Sequence, residues 1–248
     1  RRQAFNEYMM YGGMPYLIQE LEPMQRAEYL RTITETVFTD DIVERYGIRN
    51  KDALRAVLSL LCSSIGSYVS SSKIASTLKS NGHASVDHKT VINYLNNLCD
   101  AFLFYRADRY DIKGKAYLKT LFKYYSVDIG LRNAFLNFRQ IEPTHTIENI
   151  VYLELLHRGY IVDIGKNDQK EIDFIAKNMK DTFYIQVTYT MVDESTRERE
   201  LGSFKKLDDG YKKIVVTMDD DPFTNLENGY KKLNILDFLL DERSLENI

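Results

Sequence analysis

Three side chains in the last third of the chain have the types and spacing to hold a hard cation: Glu148, Asp173 and Gln186. Mg²⁺ and Mn²⁺ take oxygen ligands, and two carboxylates with one neutral amide oxygen supply them. Periodicity brings them together. Alternate residues of a strand share a face, so Asp173 points with Glu171 and Ile175, while Ile172 and Phe174 point the other way. In the next apolar run Gln186 shares a face with Tyr184 and Thr188, opposite Ile185 and Val187. If the two runs pair as a hairpin, Asp173 and Gln186 lie side by side. Glu148, near the start of the preceding helix, joins them.

These groups need a scaffold, and the pattern supplies one. A helix begins near Thr146 and Glu148, buries Ile150, Val151, Leu153, Leu155 and Leu156, and ends at Gly159. Strands follow at 160–164, 171–176 and 183–189. A polar helix spans about 194–207, with Arg197, Glu198, Arg199 and Glu200 at an exposed start. The wholly apolar run Ile214-Val215-Val216-Thr217-Met218 reads as a buried parallel strand, because it follows a helical crossover. A strand near 233–235 and a short helix at 237–240 complete an αβββαβ order. The Asp219-Asp220-Asp221 run before Pro222 reads as a surface turn.

The middle of the chain reads as a winged helix-turn-helix. Leu54, Val57, Leu58, Leu60, Leu61 and Ile65 outline a first helix. Ser70, Ser71 and Ser72 are N-cap candidates for a short second helix carrying Ile74, Ala75 and Leu78. Asp87 caps a third, with Val91, Ile92, Leu95 and Leu98 as its apolar positions. Strand-like runs at 102–107 and 118–125 flank a polar turn and form a hairpin wing. In such domains the third helix enters the major groove and the wing meets phosphates. Lys89 and Asn93, with His88 and Thr90, stand near the start of the third helix. Arg106, Arg109, Lys113, Lys115 and Lys119 lie on or beside the wing.

Charge agrees with that division. Residues 51–125 hold 11 Lys+Arg and 5 Asp+Glu, a net of +6, whereas residues 126–248 carry −7 and residues 1–50 carry −2. A basic middle either meets a polyanion or docks on an acidic surface. Winged helices serve protein contacts as well as DNA. The first fifty residues read as helix, interrupted at Gly12-Gly13-Met14-Pro15 and then continuous from Met24 to Tyr46.

Composition excludes whole classes. With 44% hydrophobic and 28% charged residues, 248 residues make an ordinary globular chain. No apolar run reaches the roughly 20 residues needed to span a bilayer, and no leader pattern is visible. The start at Arg1 reads as a piece of something longer, and the expected compartment is the cytoplasm. Cys62 and Cys99 lack metal-ligand spacing. The four histidines form no zinc motif. Gly114-Lys115 is not part of a P-loop.

The C-terminal layout resembles the PD-(D/E)xK nucleases, a restriction-endonuclease-like fold. That resemblance implies Glu148, Asp173 and Gln186-Val187-Thr188 as the site, with Thr188 where those enzymes carry lysine. Lys166 or Lys170, or Arg197 and Arg199, are the candidate replacements. A wider resemblance covers nearly the whole chain. It rests on Tyr8 with Gly12-Gly13-Met14-Pro15, Asp41-Ile42-Val43-Glu44-Arg45, the run 123–131, the run 148–155, Glu171-Ile172-Asp173-Phe174 and Tyr184-Ile185-Gln186-Val187. In that order these are similar to the C-terminal region of a large prokaryotic family of AAA-type ATP-binding proteins. The resemblance implies an ATPase domain as partner.

The resulting expectation is an α/β (α+β) chain with a mixed sheet. Residues 1–50 form a helical linker segment, 51–140 a winged helix and 141–248 a nuclease-like domain. The leading function is a nucleic-acid-associated accessory region of an AAA-type ATPase, contacting double-stranded DNA and no membrane, with a degenerate nuclease fold. The alternatives are a Mg²⁺- or Mn²⁺-dependent nuclease, its metal held by Asp173 and Gln186, and a protein-interaction module that regulates the ATPase.

Overall fold

A computed structural model describes residues 1–19, 21–83, 86–139, 141–220 and 224–247. The chain divides into two compact units: a helical unit of residues 3–106 and 121–142, and a sheet unit of residues 1–2, 107–120 and 143 onward. The class is mixed α/β, as the patterning predicts.

In the helical unit, α1 (Arg2–Tyr11) is followed by α2 (Pro23–Thr36). Pro23 opens α2, and Glu22 and Gln25 form a reciprocal capping box. The helix runs on into a π-helical stretch, Val37–Glu44, that buries Phe38, Ile42 and Val43. The predicted single helix from Met24 to Tyr46 therefore changes its winding midway. Leu30 and Ile42 are fully buried and α2 packs on α6 (Ile129–Phe135), so residues 3–50 pack as part of this unit and are not a separate linker.

The helix-turn-helix elements follow their caps. The side chains of Asn50, Ser70 and Asp87 accept from backbone N–H groups at the starts of α3 (Lys51–Ser63), α4 (Ser71–Ser80) and α5 (His88–Asp100). The expected surface turn's Asp221 and Pro222 lie outside the described residues. Helix α5 buries Val91, Tyr94, Leu95 and Leu98. Ile92, expected on that face, is 41% exposed, because at 3.6 residues per turn it points about 100° away from Val91. Tyr94 takes the inward position.

The hairpin that follows is β2 (Phe104–Asp111) and β3 (Ala116–Ser126). The strands are longer and the turn shorter than the sequence suggests. β1 (Tyr68–Val69) pairs antiparallel with β3 in the helical unit, Tyr68 opposite Lys123. The distal half of the hairpin belongs to the sheet unit. There β2 pairs parallel with β4 (Ile161–Asn167), Arg109 opposite Ile164 and Asp111 opposite Lys166. The tip expected to stand free as a wing is thus an added strand pair.

The sheet unit continues with β5 (Lys170–Lys177), β6 (Thr182–Val187), β7 (Lys212–Thr217) and β8 (Lys231–Asn234). β4, β5 and β6 form an antiparallel meander, and β6, β7 and β8 run parallel. Within the sheet unit the hydrogen-bonded strand order is β3-β2-β4-β5-β6-β7-β8. The crossover between β6 and β7 is α8 (Glu194–Ser203), which accounts for their parallel direction. α7 (Pro143–His157) packs on β4, β5 and β6, and α9 (Ile235–Leu240) on β7 and β8. Phe174, Ile185, Ile214 and Val216 are fully buried in this core.

Candidate functional site

The β5–β6 ladder runs from Lys177–Thr182 to Phe174–Ile185 and stops. Beyond it, side chains replace the main-chain pairing. Gln186 Oε1 accepts from the Asp173 N–H at 2.7 Å, and Asp173 Oδ2 accepts from the Val187 N–H at 2.8 Å. Asp173 and Gln186 are neighbours across the strands, as alternation predicts, and each clasps the other's strand.

Helix α8 adds two residues that the sequence reading left on its surface. Glu200 is 6% exposed, against the exposed position predicted for it. Its Oε2 accepts from Gln186 Nε2 at 2.9 Å. Its Oε1 accepts from Arg199 Nε at 3.1 Å and Nη2 at 2.7 Å. The Arg199 side chain is otherwise largely exposed. A signal for Glu200 existed: it lies beside Leu201 and four residues before Phe204, both buried, so it falls on the apolar stripe of α8.

Glu148 is buried on α7, and its Oε2 lies 3.7 Å from His145 Nδ1. Thr188, at the position where the nuclease resemblance expects lysine, is buried, and its hydroxyl donates to the Thr190 carbonyl at 3.3 Å. Lys166 is committed elsewhere: its ammonium pairs with Asp111 Oδ2 at 2.9 Å. Lys170 reaches over α8, where its Nζ would stand 2.5 Å from a Cβ placed on Gly202. Arg197 lines an open cavity of about 420 Å³ with Met191, Asp219, Leu226 and Lys232.

As a cation site this set does not fit. The amide oxygen of Gln186 is turned to the Asp173 N–H, and its NH₂ to Glu200. Among the described residues no group of three or more His, Cys, Asp and Glu is arranged to hold a metal ion. The thiols offer no alternative chemistry: burial pushes Cys62 up to about 12 and Cys99 up to about 11.

The basic residues divide between the units. In the helical unit, the outer face of α5 presents His88, Lys89, Ile92, Asn93 and Asn96, all exposed. Arg106 is exposed at the hairpin root and stacks its guanidinium 4.6 Å from the Phe122 ring centroid. In the sheet unit, Arg109 is half-buried, while Lys115 and Lys119 are exposed on the hairpin. Lys113 is tied to Asp168 at 2.6 Å. That pair commits part of the expected phosphate-binding charge to one of the chain's own carboxylates.

Residues 2–142 match the profile of a family described as a domain of unknown function, DUF8612. The chain belongs to that family. The DUF8612 match ends where the helical unit does, one residue before α7. Similarity to whole proteins runs further. An uncharacterised protein of Haemophilus influenzae is 39% identical over 238 residues, covering 96% of this chain and 58% of that protein. An uncharacterised protein of Methanocaldococcus jannaschii is 27% identical over 242 residues, covering 94% of this chain and 52% of that protein. The chain thus spans little more than half the length of these relatives. No solved structure matches the chain. Among the described residues no helix is long and apolar enough to cross a membrane.

Proposed function

We propose that this DUF8612 chain is a nucleic-acid-associated accessory region of an AAA-type ATP-binding protein, with a restriction-endonuclease-like domain that no longer cleaves. The observation that carries the nucleic-acid reading is the outer face of α5. Helix α5 is capped by Asp87 and anchored by Val91, Tyr94, Leu95 and Leu98. It turns Lys89, Asn93 and Asn96 outward, with the exposed carboxylate of the capping Asp87 near His88 and Lys89 at its start. Amide and ammonium groups on a rigid helix are suited to base edges and phosphates of duplex DNA. Arg106 adds a fixed cation in the same unit.

The degenerate character of the nuclease-like domain is supported by Thr188, by the diversion of Lys166 to Asp111 and by the engagement of the Gln186 amide with Asp173 and Glu200. The partnership with an ATPase domain rests on the family resemblance. The length of both relatives is compatible with it, since about two fifths or more of each lies outside the match.

The test is fluorescence anisotropy of a labelled duplex at about 50 and 200 mM salt. Affinity should fall steeply with salt. Lys89→Ala should lower the log–log salt slope by about 1, and Asn93→Ala should weaken binding without changing that slope. Absence of binding at low salt would remove the nucleic-acid reading and leave the ATPase domain as the ligand to test.

A further inference from the structure

We infer that Asp173, Gln186, Glu200 and Arg199 form a metal-independent clasp that locks α8 onto the parted ends of β5 and β6. This site does not take up a divalent cation. The inference rests on the degenerate reading of the sheet unit but not on nucleic-acid binding, so a failed duplex titration leaves it standing.

The direction of each hydrogen bond fixes the electrostatics. The Asp173 N–H can only donate, so the Gln186 group facing it is the oxygen. The amide therefore presents its NH₂ to Glu200. A hard cation placed between Gln186 and Glu200 would face an N–H donor where it needs an oxygen. On its other side Glu200 already holds the Arg199 guanidinium through two N–H groups. Arg199 and the Gln186 amide together satisfy the carboxylate, the task a cation would otherwise perform. Asp173 Oδ2 is likewise engaged, by the Val187 N–H. Each link ties a different element: Asp173 lies in β5, Gln186 in β6 and Glu200 in α8.

This assigns a role to Glu200 and Arg199 that does not depend on chemistry at the site. They position the crossover helix at the point where the sheet's main-chain pairing stops. It also predicts how the site responds to one substitution. Gln186→Glu would set two carboxylates where an amide nitrogen and an oxygen now stand 2.9 Å apart. That variant should be unstable at neutral pH and recover as the pH falls and one carboxyl takes up a proton.

The experiment is a thermal melt of the whole chain, with EDTA and with 5 mM MnCl₂, beside a direct Mn²⁺ titration followed by the electron paramagnetic resonance of the free ion. The wild-type melting temperature should be the same in both buffers, and the titration should show no bound Mn²⁺. Glu200→Gln should lower the melting temperature by about 3–8 °C equally in both. Gln186→Glu should melt lower at pH 8 than at pH 5, relative to wild type at each pH. Saturable Mn²⁺ binding that Asp173→Asn removes would overturn the inference, and this needs no destabilised variant to be seen. An unchanged melting temperature for Glu200→Gln, or a pH-independent one for Gln186→Glu, would equally overturn it.

Discussion

The helical unit and the sheet unit both bury polar side chains, but they use them differently. In the helical unit the partners are mostly main chain. Asp128 accepts from the N–H groups of Gly13 and Leu131, Asn133 donates to the carbonyls of Met9 and Met10, and Arg132 Nε donates to the Cys62 carbonyl. Such bonds fix the path of the chain. In the sheet unit the buried Glu200 meets side chains instead: the buried Gln186 and the largely exposed Arg199. Bonds of that kind concentrate functional groups at one point, which is what a site requires. Under the two proposals above, the first unit is a framework that presents α5 and the second uses its buried polar groups as a fastener.

The sharpest way to break this comparison is at the framework's tightest approach. A Cβ on Gly130 would stand 1.9 Å from the Tyr11 carbonyl oxygen, so the backbone must move to admit one. Gly130→Ala should cost more than about 3 kcal/mol in chemical denaturation, or prevent the helical unit from folding. A modest cost would show that α1 and α6 are not rigidly joined.

Next comes the side-chain network. Gln186→Leu leaves buried Glu200 without its amide donor and should cost about 2–3 kcal/mol. Paired with Glu200→Leu, it should show a coupling of about 0.5–3 kcal/mol in a double-mutant cycle. Strict additivity would mean the two residues do not act as a unit. Ser70→Ala removes the cap of α4 and should cost about 1 kcal/mol.

A smaller effect is read through pH, and burial produces it in both units, at Asp128 and at Asp163. Burial raises the Asp128 carboxyl above the ordinary carboxylate range, against the lowering by the N–H groups of Gly13, Leu131 and Gly130. A carboxyl whose folded pKa exceeds its unfolded value binds its proton more tightly when folded. Its contribution is complete below the unfolded pKa and declines as pH rises through the folded one. Denaturation midpoints measured between pH 3 and 7 should carry that decline, and Asp128→Asn should reduce it, leaving the share of Asp163. Smallest of all is Lys113→Ala. Its ammonium is held by Asp168 in an exposed pair, so both stability and duplex affinity should barely change, less than for Lys89→Ala. A large loss of duplex affinity would restore the wing as a phosphate contact.

Much of this was legible in the sequence because it is local. Ser70 and Asp87 act through N–H groups three residues away. Asp173 and Gln186 are thirteen residues apart on a hairpin, and period-2 alternation suffices to set them side by side. Periodicity erred at Ile92 only by counting an apolar residue as a buried one. The structure settled what depends on distant surfaces meeting. The β2–β4 pairing that captures the hairpin tip, the Lys113–Asp168 and Lys166–Asp111 pairs 55 residues apart, and the Asp128–Gly13 bond 115 residues apart leave no local pattern. Glu200 is the decisive case. As a residue type it favours the surface of a helix, and it is buried only because Gln186 and Arg199 satisfy its carboxylate. The sequence by itself determined the elements and the neighbours along each hairpin. Whether a charged side chain faces water or a partner was decided by tertiary packing, since burying a charge depends on what arrives opposite it.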